Sequence, residues 1–381
     1  MNLIQRPLNQ KIDLMDYRLH QYSLIPEFID IGFEYCRRFG LSYDKIDIKI
    51  YSDESYHSIY HYCFDKIRIK LDDYSSNFLE LDIPRLLHDT FFKLKGAYYI
   101  PLIYLLDEPI TFKKNSIKLY SLFKPITLYL NDNRVILDGN NIPISRFFRL
   151  YEEDENELKN ICEILETQYI AESRDESISK MTSILGSKNI NITDIIEHID
   201  LIFFDKWTKD LYSTYYKIEN INMKLIIDLI LGRIKNNEFN EFNNLKFKRL
   251  IFIELLLDPF FRAINSAVHQ LKAGKPLQSI PIKSNAIITH FYSSVESKTK
   301  SRGLCGNNLY SISNGYTGIL GLKSSFKNPK SPSEMPRSVS SVHYGYKHKV
   351  CPITISNKTP GVVVSLVPNQ KIDLRYGLLL D

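Results

Sequence analysis

The sequence predicts an α+β protein, because strand-like and helix-like patterns occupy different parts of the chain. Short runs of alternating apolar and polar residues, the pattern of half-buried strands, recur in the first 150 residues. Residues 151–245 begin with an acidic run that suits a first helical turn, and their apolar residues then recur at helical spacing. Residues 279–340 are rich in Ser, Asn, Gly and Lys and predict extended loops.

The first 95 residues are predicted to contain both types of element. Residues 26–39 begin with proline, place apolar residues at helical spacing and precede a glycine, so they predict a helix. Residues 46–51 and residues 67–71 alternate strictly and predict two strands. Residues 81–95 are expected to include a helix that follows Pro84.

Residues 96–150 are predicted to be rich in strands. Within them, residues 126–137 form two apolar, alternating arms around an Asn-Asp-Asn sequence that tolerates turn conformations, so a β-hairpin is expected. Residues 143–151 begin with proline and predict the start of a helix. Further along, residues 243–276 predict a pair of helices with a break near Pro259.

The composition is that of a folded protein, with 44% hydrophobic and 24% charged residues among 381. A chain of this length is long enough for two or three domains. The five cysteines are scattered without C-x-x-C spacing, so neither a zinc site nor a disulfide framework is expected. This cysteine usage predicts a protein of a reducing compartment. Because no signal peptide and no apolar run of about 20 residues is found, we expect a soluble, cytoplasmic protein.

Positive charge is concentrated in the last third of the chain. From Arg262 onward there are 16 Lys+Arg and 4 Asp+Glu, a net charge of +12, whereas residues 1–261 carry a net charge of −7. Such polarity favours a C-terminal third that faces an anion such as nucleic acid. Charge alone fits equally well a basic third that docks on an acidic protein surface.

The sequence contains binding residues but no motif of a self-sufficient catalytic site. It has no G-x-S-x-G sequence and no Asp-x-Asp-Gly-Asp loop for Mg²⁺, and His57, His61 and His88 lack the carboxylates of a metal site. The C-terminal third instead interleaves cations, which hold phosphates, with aromatic rings, which stack on bases. The candidate nucleic-acid-binding residues are Arg302, Lys323, Lys327, Arg337, His343, Tyr344, Lys347 and Lys349. The alternative for this stretch is a solvated surface loop.

Five short motifs near the C-terminus occur in an informative order. They are Pro336-Arg337, His343-Tyr344-Gly345, Val350-Cys351-Pro352, Gly361-Val362 and Ser365-Leu366. In this order they resemble one block of the β subunit of multisubunit DNA-dependent RNA polymerases, which in that family follows the fork loops over the downstream edge of the RNA–DNA hybrid. The segment departs from the family in a longer gap after Gly345 and in TISNKTPG, which replaces a Glu-Thr-Pro-Glu-Gly turn.

Similarities upstream fall in the order of the same family. Residues 96–100 resemble a strand of its protrusion domain, residues 129–151 resemble the hairpin and helix that close the first half of that domain, and residues 244–250 resemble a later Arg-containing stretch. The implied domains are a first protrusion-like part at 1–150, a lobe-like helical insert at 151–245, a protrusion-like return segment at 246–300, and a fork-like region with the start of the β core at 301–381. Since the family's β subunit continues well past this block, the chain is expected to be the N-terminal half of a split β subunit, like those of giant (jumbo) bacteriophages.

The resemblance implies a function in transcription, in the cytoplasm of a host cell. The chain would be a subunit of a DNA-directed RNA polymerase, a nucleotidyltransferase, that guides DNA and shapes the active-site cleft, while another subunit holds the catalytic Mg²⁺. No catalytic residue and no cofactor is expected in this chain. The implied partners are a C-terminal β fragment, the β′ subunit or its fragments, a promoter-specificity subunit, template DNA and nascent RNA. The contact with the rest of β is expected at Gly361, Val362, Val363, Val364 and Leu366. The alternative function is that of a stand-alone, non-enzymatic nucleic-acid-binding or virion structural protein.

Overall fold

The chain divides into two compact units, which we call unit 1 (Met1–Leu106 and Phe242–Asp381) and unit 2 (Asp107–Glu241). Helices and mostly antiparallel sheets occur in both, which confirms the α+β class. The computed structural model describes residues 14–38, 51–52, 64–70, 78–84, 92–94, 97–99, 103–113, 115–185, 192–240, 244–258, 260–262, 264–266, 319–322, 342–350, 352, 363–367 and 370–380.

The elements follow one another in three groups. The first group is α1 (Leu14–Ser23), α2 (Ile25–Arg38), β1 (Tyr51–Ser52), β2 (Phe64–Lys70), β3 (Phe78–Pro84), β4 (Phe92–Leu94), β5 (Ala97–Tyr99) and β6 (Ile103–Asp107). Unit 2 then contains β7 (Ile110–Lys113), β8 (Ser116–Leu119), β9 (Ile126–Tyr129), β10 (Arg134–Leu137), β11 (Asn140–Pro143), α3 (Ile144–Phe148), α4 (Glu155–Ile164), α5 (Arg174–Leu185), α6 (Ile192–Phe203), α7 (Lys206–Tyr216) and α8 (Met223–Lys235). The return to unit 1 adds a 3-10 turn (Leu245–Phe247), β12 (Lys248–Ile251), α9 (Ile253–Leu256), β13 (Ile319–Leu322), a second 3-10 turn (Tyr344–Tyr346), β14 (Val363–Ser365), β15 (Lys371–Ile372) and β16 (Leu379–Leu380).

The largest sheet of unit 1 joins distant parts of the chain. Its strand order is β12-β6-β13-β14, with β6 parallel to β13 and β13 antiparallel to β14. The other strands form the antiparallel sheet β1-β2-β3 and the pairs β4-β5 and β15-β16. Because β6 and β13 are more than 200 residues apart in sequence, no local signal specifies their pairing.

The β15–β16 hairpin is anchored to the first helices of the chain. The side-chain amide of Gln21 in α1 donates hydrogen bonds to the carbonyl oxygens of Leu374 (2.8 Å) and Arg375 (2.7 Å). Glu27 in α2 forms an ion pair with the guanidinium of Arg375. The hairpin therefore fixes both helices, although Gln21 and Leu374 lie 353 positions apart.

The approach of the hairpin to β12 requires a glycine. Gly377 has a φ of +71°, and a Cβ atom at this position would lie 2.1 Å from the carbonyl oxygen of Leu250. The backbone N–H of Leu250 in turn donates to the carbonyl oxygen of Gly377 over 2.7 Å. Beside this contact, the fully buried Arg249 donates two hydrogen bonds, of 2.6 and 2.7 Å, to the carboxylate of Glu254.

Unit 2 packs a five-stranded antiparallel meander and its helices into one core. The strand order β11-β10-β9-β8-β7 follows the chain, and alternate residues of β9 and β10 are buried. The core combines side chains of the sheet, such as Phe112 and Leu128, with helical side chains such as Phe147 and Tyr212. The single tryptophan of the chain, Trp207 in α7, is fully buried in this unit.

A buried charged cluster stabilises unit 2. The carboxylate of Glu108, which is 3% exposed, accepts hydrogen bonds from Arg233 Nη1 (2.8 Å) and Asn240 Nδ2 (2.6 Å). The guanidinium carbon of Arg233 also lies 4.2 Å from the centroid of the Phe112 ring. Burial raises the pKa of Glu108, and the charge of Arg233 opposes that rise.

A second ion-pair cluster links α3 with the segment before α5. Arg146 donates two hydrogen bonds, of 2.7 and 3.1 Å, to the carboxylate of Glu172, and Lys180 donates one of 2.9 Å. The hydrogen bonds from Arg146 are the main reason why the pKa of Glu172 falls to about 2. This carboxylate therefore stays ionised well below neutral pH.

Several predicted elements are confirmed. The helix expected at residues 26–39 is α2, and the strand expected at 67–71 falls within β2 except for its last residue. The hairpin expected at 126–137 is β9 and β10, with the two strands in antiparallel register. The helix expected from residue 143 is α3, and the described part of residues 155–235 holds five further helices.

Two segments that were expected to be helical contain strands. Lys248–Ile251, within the predicted helical pair, is β12, and Phe92–Leu94, within the predicted helix at 81–95, is β4. In both cases pairing with another strand outweighs the helical spacing of the apolar residues. Unit 2 begins at Asp107, because the meander shares its core with α3–α8; the predicted domains, with a boundary at residue 151, stay a prediction.

Candidate nucleic-acid interface

Four of the predicted nucleic-acid-binding residues lie together on residues 342–350, which we call the basic-aromatic tip. The tip is built on the 3-10 turn Tyr344–Tyr346, which follows His343. The imidazole Nδ1 of His343 accepts a hydrogen bond of 3.0 Å from the backbone N–H of Gly345. The backbone N–H groups of Lys349 and Val350 then bond to the carbonyl oxygen of Tyr346, so the tip is a closed, hydrogen-bonded structure.

Apolar side chains hold the base of the tip in the core of unit 1. Tyr346 is 3% exposed and Val350 is 4% exposed. Val350 forms an antiparallel bridge with Leu366, and the N–H of Val367 donates to the carbonyl oxygen of Lys349 over 3.0 Å. Burial raises the pKa of Tyr346 to about 12, so its hydroxyl stays protonated at any physiological pH.

A second segment supports the tip from the side. The side-chain oxygen of Asn244 accepts a hydrogen bond of 3.0 Å from the N–H of Lys246 and so starts the 3-10 turn Leu245–Phe247. A Cβ atom on Gly345 would lie 2.9 Å from this same oxygen, so a larger residue at that position would displace the Asn244 side chain. Asn244 was not among the predicted site residues. Its only local signal is that an Asn side chain often accepts a hydrogen bond from the N–H two residues later and so starts a turn.

The outer surface of the tip is aromatic and basic. Tyr344 is 82% exposed, and its ring centroid lies 4.4 Å from that of His343. Lys347 and His348 are exposed and Lys349 is half-buried. No Asp or Glu occurs between Val342 and Pro352, so no carboxylate within the tip itself neutralises these cations.

The remaining predicted site residues are placed as follows. Arg302, Lys323, Lys327 and Arg337 lie outside the described residues, as do Gly361 and Val362. Val363 and Val364 belong to β14, where their backbones pair with β13. Leu366 is 3% exposed within this chain alone, and its expected role in contacting another subunit stays a prediction.

The residues that the structure describes contain neither a metal-binding cluster nor a membrane-spanning helix. Within them, no group of three or more His, Cys, Asp or Glu side chains is arranged to hold a metal ion. None of the helices that the structure describes is both long enough and apolar enough to cross a bilayer. His57, His61 and His88 lie outside the described part of the chain.

Comparison of the sequence with models of known protein families gives no match, and comparison with curated proteins gives no significant match. The resemblance to the polymerase β subunit therefore depends on the motifs and their order.

Proposed function

We propose that this chain is a subunit of a DNA-dependent RNA polymerase and corresponds to the N-terminal part of the β subunit. The observation that carries the proposal is the basic-aromatic tip, in which the His-Tyr-Gly motif forms a rigid turn and the following Val350 bridges Leu366 of the last motif. Motifs that are separate in the sequence thus adjoin at one place, as parts of a single site would. The tip carries exposed cations and an exposed ring, which suit phosphates and bases.

The division into units supports this proposal. Unit 2 is inserted into unit 1, whose two parts lie before and after it in the sequence. A lobe inserted into a protrusion has the same arrangement, so we assign unit 2 to the lobe and unit 1 to the protrusion, the fork-like region and the start of the β core. Under this assignment the lobe begins at Asp107 and includes the five-stranded meander. Residues 129–151, whose sequence resembles the end of the first protrusion part, would then belong to the lobe.

In such an enzyme this chain would position nucleic acid and would not itself carry the reaction. The Mg²⁺ that activates nucleotidyl transfer would be held by another subunit, in keeping with the lack of an Asp-x-Asp-Gly-Asp loop in this sequence. Lys347, Lys349 and His343 would contact the nucleic acid. The isolated chain is then expected to bind nucleic acid without synthesising RNA.

Affinity purification of the full chain from the cells that produce it tests the assignment. The expected result is a complex that contains the remainder of β and a subunit with the Asp-x-Asp-Gly-Asp loop, and that synthesises RNA on a DNA template. A monodisperse monomer without such partners would contradict the proposal.

A stand-alone nucleic-acid-binding protein is the second candidate, because the tip and the net charge of +12 after residue 261 fit it as well. Both candidates require the tip to contact phosphates. Lys347→Gln is therefore expected to reduce the log–log salt dependence of binding by about 0.7 to 0.9, the effect of one phosphate contact. Lys224→Gln, which removes an exposed lysine from α8 of unit 2, is the matched control and is expected to leave the slope unchanged. The proteins that co-purify with the chain distinguish the two candidate functions, because only a polymerase subunit requires them.

A further inference from the structure

We propose that Tyr344 is a stacking platform for an unpaired base, so that the basic-aromatic tip prefers single-stranded nucleic acid to duplex. This inference rests on the proposed function, since it names the ligand of the surface that carries it. It adds the form of the nucleic acid and the residue that selects it.

The exposure of Tyr344 is the first observation. Tyr344 is 82% exposed, whereas the next most exposed of the large apolar side chains that the structure describes, Val342, is 46% exposed. Val342 is two residues away, so the two side chains belong to the same small segment. Tyr346, also two residues away, is 3% exposed, which means that the turn buries one ring and presents the other. An aromatic ring held in water loses the hydrophobic gain of burial unless a ligand covers it.

The second observation is that the exposed ring is held in place. It lies against the imidazole of His343, with an angle of 47° between the two ring planes. That imidazole accepts a hydrogen bond from the N–H of Gly345, and the N–H groups of Tyr346 and Lys347 close the turn by bonding to the carbonyl oxygens of His343 and Tyr344. A ring that is ordered before binding loses little conformational entropy when a ligand stacks on it.

The third observation is the charge beside the ring. Lys347 and His348 are exposed within four residues of Tyr344, and the tip contains no carboxylate. A single strand offers both a base face and, one backbone step away, a phosphate, so a ring with adjacent cations matches its repeating unit. In a duplex the base faces are covered by their neighbours, and a protruding ring reaches only the sugar–phosphate backbone and groove edges. Stacking does not discriminate between ribose and deoxyribose, so RNA and DNA strands are both candidates.

Fluorescence anisotropy with the full chain tests the inference. The probes are labelled 12-mers of single-stranded DNA and of single-stranded RNA, the corresponding duplexes, and a DNA 12-mer in which every position is abasic. Tyr344→Leu keeps an apolar side chain but removes the ring, and Tyr344→Phe keeps the ring. Phe239→Leu, which removes an exposed ring from unit 2, is the matched control. Because Tyr344 is so exposed, the variants are expected to melt within about 1 °C of the wild type, which a thermal melt verifies.

Tyr344→Leu is expected to weaken binding of the single-stranded probes by about 5- to 150-fold, the range for one base–aromatic stack. Tyr344→Phe and Phe239→Leu are expected to stay within about twofold of the wild type. On the abasic strand, wild type and Tyr344→Leu should bind equally, because the phosphates are present and the bases are absent. A difference between the DNA and RNA arms identifies the strand for which the platform is used.

Two outcomes would overturn the inference, and they are distinguishable. Salt-dependent binding that depends on Lys347 but is equal for wild type and Tyr344→Leu, or equally strong on duplex, removes the stacking role and leaves the proposed function intact. Absence of binding to every probe at low salt removes both the stacking role and the tip as a nucleic-acid surface.

Discussion

Replacement of Arg233 by methionine is expected to destabilise unit 2 strongly. Methionine is a long apolar side chain but has no guanidinium, so the carboxylate of Glu108 loses the charge of Arg233 and retains only the neutral hydrogen-bond donors Asn240 and Tyr215. Removing one partner of a buried ion pair costs about 3–5 kcal/mol, because a desolvated charge is left behind. With a urea m-value of about 2 kcal/mol per M, a loss of about 3–5 kcal/mol lowers the unfolding midpoint by roughly 1.5–2.5 M.

The chain carries its own reporter for this experiment. Trp207 is the single tryptophan and is fully buried in unit 2, so its fluorescence follows the unfolding of that unit. Arg174→Met is the matched control: Arg174 pairs with the exposed Glu153, and its loss should cost less than about 1 kcal/mol.

The pH dependence supplies a second check on the same variant. Burial already raises the pKa of Glu108, and the loss of Arg233 should raise it further. A carboxyl whose pKa is higher in the folded state than in the unfolded state favours folding at low pH and loses that contribution as the pH rises through the folded value. The deficit of Arg233→Met should therefore be larger at pH 8 than at pH 5. A deficit under about 1 kcal/mol, or one that grows towards low pH, would refute the ion-pair explanation.

Three further predictions concern stability. Gly377→Ala should destabilise unit 1 by more than about 2 kcal/mol in chemical unfolding, because it adds a clash with the Leu250 carbonyl oxygen to the strain of a positive φ. Gly139→Ala is the control for backbone strain alone: Gly139 has a φ of +82° but open space where a Cβ atom would lie, so this substitution should cost about 1 kcal/mol. Glu172→Gln should destabilise the protein at pH 6 by about 1–2 kcal/mol. The difference in unfolding free energy from wild type should vanish as the pH falls from about 4.5 to about 2, because the wild-type carboxylate takes up its proton in that range. A difference that does not change with pH contradicts this prediction. Tyr346→Phe should leave the melting temperature unchanged or raise it slightly, since the buried hydroxyl has no hydrogen-bond partner among the described residues; a clear decrease would show that the hydroxyl is bonded.

The sequence predicted best those elements whose signals are local. The proline and glycine that bound α2, and the Asn-Asp-Asn turn between β9 and β10, are short-range features that act within a few residues. The meander of unit 2 has the same character, because each strand pairs with the next one along the chain.

The failures occurred where a distant segment decides the conformation. Lys248–Ile251 has helical spacing, but its neighbours in space are β6 and the hairpin that contains Gly377. No sequence pattern within 20 residues of this strand predicts that it pairs with β6 or contacts the hairpin. The site shows the same limit: the basic and aromatic residues of the tip were evident from composition, whereas the support from Asn244 depends on a fold that brings residues 100 positions apart into contact.

The anchoring of α1 and α2 by the β15–β16 hairpin has a consequence for the order of events during synthesis. Unit 2 is one uninterrupted stretch with neighbouring strands paired, so it can fold as soon as it leaves the ribosome. Unit 1 cannot, because Gln21 and Glu27 find their partners only in Leu374 and Arg375. Phe28 and Phe33 of α2 pack against Phe261 and Phe260, so they stay uncovered until more than 200 further residues are added. The first helices to be made receive their last polar contacts only when the final residues of the hairpin arrive.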